Sequence, residues 1–259
     1  MPQAEGLYYT ESDLRPDVER AAMPVVLVHG AGGTHLHWPP QVRRLPAQWV
    51  LAVDLPGHGR SAGVGEQEIA AYADRLVAWA EAIGLPPAFW VGHSMGGAIV
   101  LTLALEHPRR VRALGLVATG ARLPVNPRLL ASTAQPETFP LAVETVMKWA
   151  FSPTAPPRLR QLATQRMLEV RPTVLHNDFT ACDRFNVDAR LSQIDVPAVV
   201  IHGTADKMTP FHYGEHLARE IPRARLVTVR DAGHMVMLEQ PEAVAEALAA
   251  FTAEVLGGG

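Results

Sequence analysis

The chain has 259 residues, a length that fits one α/β domain with an insertion and allows a large buried core. Hydrophobic residues make up 48% of it and charged residues 19%, the balance of a globular protein, and no apolar run is long enough to cross a membrane. With a net charge of −3, the chain gives no electrostatic reason to expect nucleic acid or an anionic membrane as a partner.

The cysteine count and the first residues limit the kinds of site and the cellular location that we expect. The single cysteine, Cys182, excludes an internal disulfide and a cysteine-rich metal site. The first residues lack the basic and apolar regions of a secretory signal, so we expect a cytoplasmic protein. The sequence leaves the oligomeric state open between a monomer and a homodimer. Residues 257–259 are three glycines, for which we predict a frayed end.

Short apolar runs alternate with helical patterns along most of the chain. The predicted strands are, in order, residues 24–30, 49–55, 87–92, 111–120, 197–203 and 224–230. Helices are predicted from about residue 35 and over residues 66–83, 95–106, 212–220 and 241–256. The polar segment 1–23 is expected to supply one or two edge strands. Buried strands that alternate with helices predict an α/β fold with a mostly parallel, doubly wound sheet.

The alternation of strands and helices lapses between residues 121 and 191. Helical patterns occur there near residues 141–151 and 157–170. We interpret this segment as an inserted helical cap over a core formed by residues 1–120 and 192–259. The alternative is that these helices are an ordinary part of the core.

A predicted strand turns sharply into a helix at residues 87–97, with one serine at the turn. The pattern Gly92-x-Ser94-x-Gly96 is that of a nucleophile elbow, in which glycines tolerate a strained turn. The N-terminus of the following helix would stabilise negative charge that develops beside the serine. The alternative is a glycine-rich turn in which Ser94 only caps the helix.

Polar residues follow two later strands at the same edge of the predicted sheet. Asp206 comes shortly after the fifth strand, and His234 comes shortly after the sixth. We predict that Ser94 is a nucleophile, that His234 takes its proton, and that Asp206 orients the histidine. Asp231, three residues before His234, is the alternative orienting acid.

Two backbone amides are predicted to bind the oxyanion that such a nucleophile generates. Met95 follows the nucleophile directly, and Ala31 lies in the loop after the first strand. Candidates for lining the substrate pocket are Met147, Trp149 and Phe151 of the cap, together with Gly30 and His93. Ordinary packing within the cap is the alternative for the three cap residues. We predict no metal and no other cofactor, although His212 and His216 have helical spacing.

Five motifs occur in order and at suitable spacing along the chain. They are His29-Gly30-Ala31-Gly32, Asp54-Leu55-Pro56-Gly57-His58-Gly59-x-Ser61, Gly92-His93-Ser94-Met95-Gly96-Gly97, His202-Gly203-x-x-Asp206 and Gly233-His234. This set resembles the α/β-hydrolase fold superfamily, whose members carry Ser, Asp and His in this chain order. The resemblance runs from about residue 24 to the C-terminus, interrupted by the cap. It implies a hydrolase with a serine triad, a helical cap over the site and no cofactor.

The same motifs favour some branches of the superfamily over others. Dehalogenases and epoxide hydrolases of this fold carry Asp where this chain has Ser94, and cofactor-free haloperoxidases typically carry a large aromatic residue where it has Ala31. The resemblance therefore implies a carboxylesterase that forms an acyl-enzyme on Ser94 with small to medium apolar ester substrates. The alternatives are a hydrolase of carbon–carbon bonds in meta-cleavage products, an enol-lactonase, and a slow-turnover ligand receptor of the same fold.

Overall fold

The computed structural model describes residues 2–16 and 23–257, which form a sheet flanked by helices. The strands are β1 (Gln3–Ala4), β2 (Leu7–Asp13), β3 (Val25–Val28), β4 (Trp49–Val53), β5 (Ala88–His93), β6 (Val111–Val117), β7 (Ala198–Gly203) and β8 (Ala224–Val229). The α-helices are α1 (Pro40–Arg43), α2 (Ile69–Ala82), α3 (Met95–Glu106), α4 (Pro127–Thr133), α5 (Phe139–Ala150), α6 (Pro157–Leu168), α7 (Pro172–Arg184), α8 (His212–Glu220), α9 (Val236–Glu239) and α10 (Pro241–Gly257).

The strands form one sheet in the order β1-β2-β4-β3-β5-β6-β7-β8. Every neighbouring pair from β4 to β8 is parallel. The polar N-terminal segment adds β1 and β2 as antiparallel strands at one edge. The prediction of a mostly parallel sheet with edge strands from the N-terminal segment is therefore confirmed.

Both faces of the sheet are buried, and strand β3 shows why its sequence is apolar throughout. Val26 and Val28 pack in one core cluster with residues of α2 and α3. Val25 and Leu27, which point the opposite way, pack in a second cluster with residues of α1 and α10. A strand with helices on both sides has no face left for polar side chains, which explains the unbroken run of hydrophobic residues.

The prediction of a helix from about residue 35 is wrong, because the α-helix begins only at Pro40. A 3-10 turn at His35–His37 is followed by the four-residue helix α1. Trp38 and Pro39 separate them in extended backbone, because each precedes a proline and the residue before a proline is driven into that conformation. At the other end of the chain, α10 includes Gly257, while residues 258 and 259 lie outside the described part of the structure.

The segment between β6 and β7 contains helices α4 to α7. The helical patterns near residues 141–151 and 157–170 correspond to α5 and α6, whereas α4 and α7 were not predicted. The boundaries of the cap segment, residues 121–191, stay a prediction. Among the described helices, none is both long and apolar enough to cross a membrane.

Candidate active site

Strand β5 passes into helix α3 through a single residue with unusual backbone geometry. Ser94 has φ of +53° and ψ of −117°, outside the regions that side chains normally allow. The turn is tight enough that a Cβ on Gly92 would lie 2.1 Å from the carbonyl oxygen of Gly96. Its two glycines are therefore required by close backbone approach, as the elbow pattern predicted.

The serine side chain is left available at this turn. Ser94 makes no side-chain hydrogen bond to the start of α3, so the alternative that it serves as a helix cap is not supported. Its backbone is fixed instead, since its amide donates to the Val117 carbonyl at 3.0 Å and its carbonyl accepts from the Thr119 hydroxyl at 2.7 Å. Within the described residues no hydrogen bond joins Ser94 Oγ to His234, a bond that commonly tightens only when substrate binds.

Asp206 and His234 meet at the carboxyl edge of the sheet. Oδ2 of Asp206 accepts a hydrogen bond from Nδ1 of His234 at 2.9 Å and another from the Thr209 hydroxyl at 2.8 Å. Oδ1 accepts from the backbone amides of Met208 and Thr209. Burial acts to raise the pKa of Asp206, but the interaction with His234 and hydrogen bonds from histidines outweigh it and hold that pKa well below its usual range. The acid is therefore an oriented anion.

The loop that carries His234 is attached to the elbow and to the end of helix α5. Nε2 of His93 donates to the His234 carbonyl at 3.0 Å, which brings His234 next to the residue that precedes Ser94. Burial and the nearby His234 lower the pKa of His93 well below its usual value, so its ring is a neutral donor. The carboxylate of Glu239 accepts from the amides of Gly233 and Ser152 at 3.0 and 3.1 Å.

Asp231, the alternative orienting acid, lies apart from this arrangement. It is exposed, has φ of +60°, and its amide donates to the hydroxyl of Thr204 at 2.9 Å. In the described part of the chain, the hydrogen-bond partners of Nδ1 of His234 are Asp206 and Thr209. The geometry therefore favours Asp206.

The two amides predicted to bind an oxyanion are both free donors. Neither the Ala31 nor the Met95 amide has a hydrogen-bond acceptor in the part of the chain that the structure describes. Ala31 lies in a turn closed by a 3.0 Å hydrogen bond from the amide of Gly33 to the carbonyl of Gly30. A Cβ on Gly30 would lie 3.1 Å from Cβ of Ser94, so this turn lies directly against the elbow. Unpaired donors beside the serine are what a developing negative charge requires.

A cavity of about 650 Å³ opens beside the turn that contains Ala31. One side of the cavity is apolar and is lined by residues of helix α6 and of the segment after it, namely Leu159, Leu162, Ala163 and Val170. The candidate pocket residues do not line this cavity: Met147 and Phe151 are buried in the core, Trp149 is half-buried against it, and Gly30 and His93 lie under the elbow. Their role in binding substrate stays a prediction.

Three acidic or hydroxyl side chains around the site were missed by sequence reasoning. Thr209 and Glu239 lie three and five residues after Asp206 and His234, so their position close to a candidate catalytic residue was the available signal. Asp178 lies on α7, far from every motif, and accepts a hydrogen bond from the Gly32 amide at 2.8 Å. Nothing in the local sequence marks it.

His212 and His216, which share a face of α8 by their spacing, form no metal site in the described structure. His216 instead contacts Asp188 at 2.5 Å and Arg219 at 2.7 Å. Across residues 2–16 and 23–257 there is no group of three or more His, Cys, Asp or Glu side chains arranged to hold a metal ion.

Comparison with known proteins gives the same family from sequence and from structure. The model of the alpha/beta hydrolase family matches residues 25–247. The pimeloyl-[acyl-carrier protein] methyl ester esterase of Neisseria meningitidis is 33% identical, over 95% of this chain and 99% of that protein. A thermophilic esterase of known structure has a TM-score of 0.80 and 32% identity, with 96% and 98% of the two chains covered. The enol-lactonase of Burkholderia xenovorans has a TM-score of 0.86 and 25% identity, with 95% of each chain covered. These matches confirm that the protein is a hydrolase, and the chain belongs to the alpha/beta hydrolase family.

Proposed function

We propose that this protein is a carboxylesterase that cleaves small to medium apolar esters through an acyl-enzyme on Ser94. The observation that carries the proposal is the 2.9 Å hydrogen bond between Asp206 and His234, made beside a serine on a strained strand-to-helix turn. An anionic acid on Nδ1 leaves the other ring nitrogen, Nε2, as the base that a serine nucleophile needs.

The proposed reaction begins with attack of Ser94 Oγ on the ester carbonyl carbon. Nε2 of His234 takes the serine proton, and the negative charge on the carbonyl oxygen is bound by the amides of Ala31 and Met95. The carbon–oxygen bond to the alcohol then breaks, and the alcohol leaves with the proton held by His234. Water attacks the acyl-Ser94 ester in the same way, which releases the carboxylic acid and regenerates the serine.

The substrate class rests on the cavity beside the oxyanion turn. Its volume of about 650 Å³ is that of a site for a small molecule, and α6 gives it an apolar wall. The relative from Neisseria meningitidis is named for a methyl ester, which has the smallest alcohol that an ester can carry. We therefore assign the cavity to the acyl chain and expect a small alcohol as the leaving group.

A lactone is the second candidate substrate, favoured by the match to an enol-lactonase over 95% of both chains. A lactone is an internal ester, so attack by Ser94 opens the ring and leaves the alcohol attached to the acyl group. The same acid, base and oxyanion donors then serve both substrates, and only the shape of the cavity distinguishes them.

The proposal is tested by hydrolysis of p-nitrophenyl esters from acetate to palmitate, with methyl esters of acyl chains and an enol-lactone as separate arms. Ser94→Ala should abolish hydrolysis of every substrate that the wild type cleaves. Ser132→Ala is the matched control, because in the described structure that hydroxyl donates to the Arg128 carbonyl of its own helix, away from the candidate site. Activity that survives Ser94→Ala, or a folded wild type that cleaves no ester, would contradict the proposal. Preference for the lactone over every open-chain ester would favour the second candidate.

A further inference from the structure

One carboxylate of helix α7 connects the cap segment to the turn that carries the Ala31 amide. Asp178 is fully buried, and its Oδ2 accepts hydrogen bonds from the Gly32 amide and from Nε2 of His58, both at 2.8 Å. Its Oδ1 accepts from the hydroxyl of Tyr72 at 2.5 Å. Three donors from three separate parts of the core therefore converge on a single side chain of the cap segment.

The charge state of this cluster follows from its hydrogen bonds. Nδ1 of His58 faces the Pro56 carbonyl at 3.0 Å and Nε2 faces Asp178, so both nitrogens have an acceptor and both carry a proton. Burial acts to lower the pKa of His58, but the charge of Asp178 and the hydrogen bond to it outweigh burial and raise that pKa. The pair is therefore a buried imidazolium and carboxylate, and its members compensate each other's charge.

The hydrogen bond between Asp178 and the Gly32 amide favours one orientation of the peptide group between Ala31 and Gly32. Residues 30–33 form a turn closed by the Gly33 amide, and Gly32 has a positive φ of +63° while Ala31 does not, the combination that a type II turn requires. Type I and type II turns differ in the orientation of the peptide between the two central residues, here Ala31 and Gly32. The observed orientation points the Gly32 amide at Asp178, whereas the flipped one would point the Ala31 carbonyl at the same carboxylate. An anion favours the first and repels the second.

Helix α7 does not need Asp178 merely to stay attached to the core. Arg171 donates to the carbonyls of Gly57 and Gly63, at 3.1 and 2.6 Å. Asn177 donates to the Val64 carbonyl at 3.0 Å, and its side chain also accepts from Gln67. These bonds reach the loop after β4, whereas Asp178 is the residue of α7 that bonds to the turn beside Ser94 in the described structure.

We propose that Asp178 is a positioning residue that holds the oxyanion turn in its active form through the Gly32 amide. The inference rests on the proposed function, because it takes the Ala31 amide as an oxyanion donor. A flip of the peptide between Ala31 and Gly32 changes ψ of Ala31 and φ of Gly32, the two torsions that directly follow the donor amide, so the turn that carries the donor would be rebuilt. Stabilisation of the transition state would then depend on a carboxylate that touches neither substrate nor serine.

The test separates binding of substrate from stabilisation of the oxyanion. Removal of one oxyanion donor costs about 100- to 1000-fold in kcat, so a displaced donor in Asp178→Ala should lower kcat by about 30-fold or more. KM should change by less than about 3-fold, because Asp178 itself does not line the acyl cavity. Affinity for an alkyl boronic acid, whose adduct with serine mimics the tetrahedral intermediate, should fall in parallel with kcat. Asp178→Asn keeps one carbonyl oxygen for the Gly32 amide but loses the charge, and it should lower kcat by about 3- to 10-fold.

Asn177→Ala is the matched control, since it removes hydrogen bonds of α7 to the core one residue away and should leave kcat unchanged. Wild type and Ser94→Ala are measured in the same assay, so failure of the proposed function is recognised by their behaviour alone and overturns this inference with it. Where wild type is active and Ser94→Ala is not, a folded Asp178→Ala with wild-type kcat overturns the positioning role. If Asp178→Ala does not fold, the test rests on Asp178→Asn. A loss of less than about 2-fold in the kcat of Asp178→Asn then overturns the proposal.

Discussion

Replacement of Asp206 by Asn should stop catalysis without disturbing the fold. The carbonyl oxygen of the new side chain has one position available, because the amides of Met208 and Thr209 both donate to the present Oδ1. The NH2 group must then occupy the position of Oδ2, where it faces Nδ1 of His234. A donor at this place forces the imidazole to carry its proton on Nε2, and a protonated Nε2 cannot accept the proton of Ser94.

The size of the effect follows from this change of tautomer. A serine hydrolase with the wrong imidazole tautomer loses about 10⁴-fold in kcat, which corresponds to about 5 kcal/mol of transition-state stabilisation. KM should stay near its wild-type value, because Asp206 does not line the cavity. Stability should fall at neutral pH, since the variant loses an anion whose pKa is depressed in the folded state.

The assay is hydrolysis of p-nitrophenyl butyrate at neutral pH, with Ser94→Ala as the baseline. Asp231→Asn is the matched control, because it makes the same chemical change at an exposed acid three residues from His234 and should alter kcat by less than about 2-fold. A loss of less than about 10-fold in a folded Asp206→Asn would refute the reasoning. An equal loss in Asp231→Asn would move the orienting role to that residue.

Three further predictions concern stability and the cavity. Since pairing raises the pKa of His58, its stabilising contribution is complete below pH 6.5 and is lost as the pH rises through the raised value, so urea unfolding should show lower stability at about pH 8.5 than at 6.5. His58→Gln should remove this difference, and a wild type equally stable at both pH values would contradict the assignment. Glu239→Gln offers one acceptor for two amides, and should lower the free energy of unfolding by about 1–3 kcal/mol in the same assay; an unchanged value would show that water replaces the lost acceptor. Ala163→Trp should fill the cavity and shift the preference towards shorter acyl chains, whereas Ala131→Trp, at an exposed position of α4, should not; the same shift in both would place the acyl chain elsewhere.

The parallel sheet could be predicted because its strands are buried on both faces. Residues 25–28 and 88–91 appear in the sequence as uninterrupted apolar runs, and such runs have few alternatives when helices alternate with them. The same logic located Ser94, because the elbow is a local feature in which close backbone approach demands glycine at Gly92 and Gly96. Asp206 and His234 followed from the rule that strand ends share one edge.

Helix α7 and its carboxylate could not be found in this way. The hydrogen bonds of Asp178 join residues 106, 120 and 146 positions apart, so no local spacing carries them. Met147 and Phe151 are apolar residues of the cap segment, but the sequence does not show whether they face a cavity or the core. Only packing decides that question, and it places them in the core at 5% and 2% exposure.

Each half of the candidate site has a carboxylate that connects it to the cap segment. Glu239 joins the His234 loop to Ser152 at the end of α5, and Asp178 joins the Gly32 amide to α7. Under the proposed mechanism, a change in the cap segment would therefore alter catalysis in two ways besides the shape of the cavity, one through the His234 loop and one through the turn that carries Ala31. Exchange of the cap segment for that of a related esterase should preserve kcat only if an acid is retained at the position of Asp178 and a backbone donor at that of Ser152. A cap exchange that lacks both and still keeps wild-type kcat would show that the core alone sets the geometry of the site.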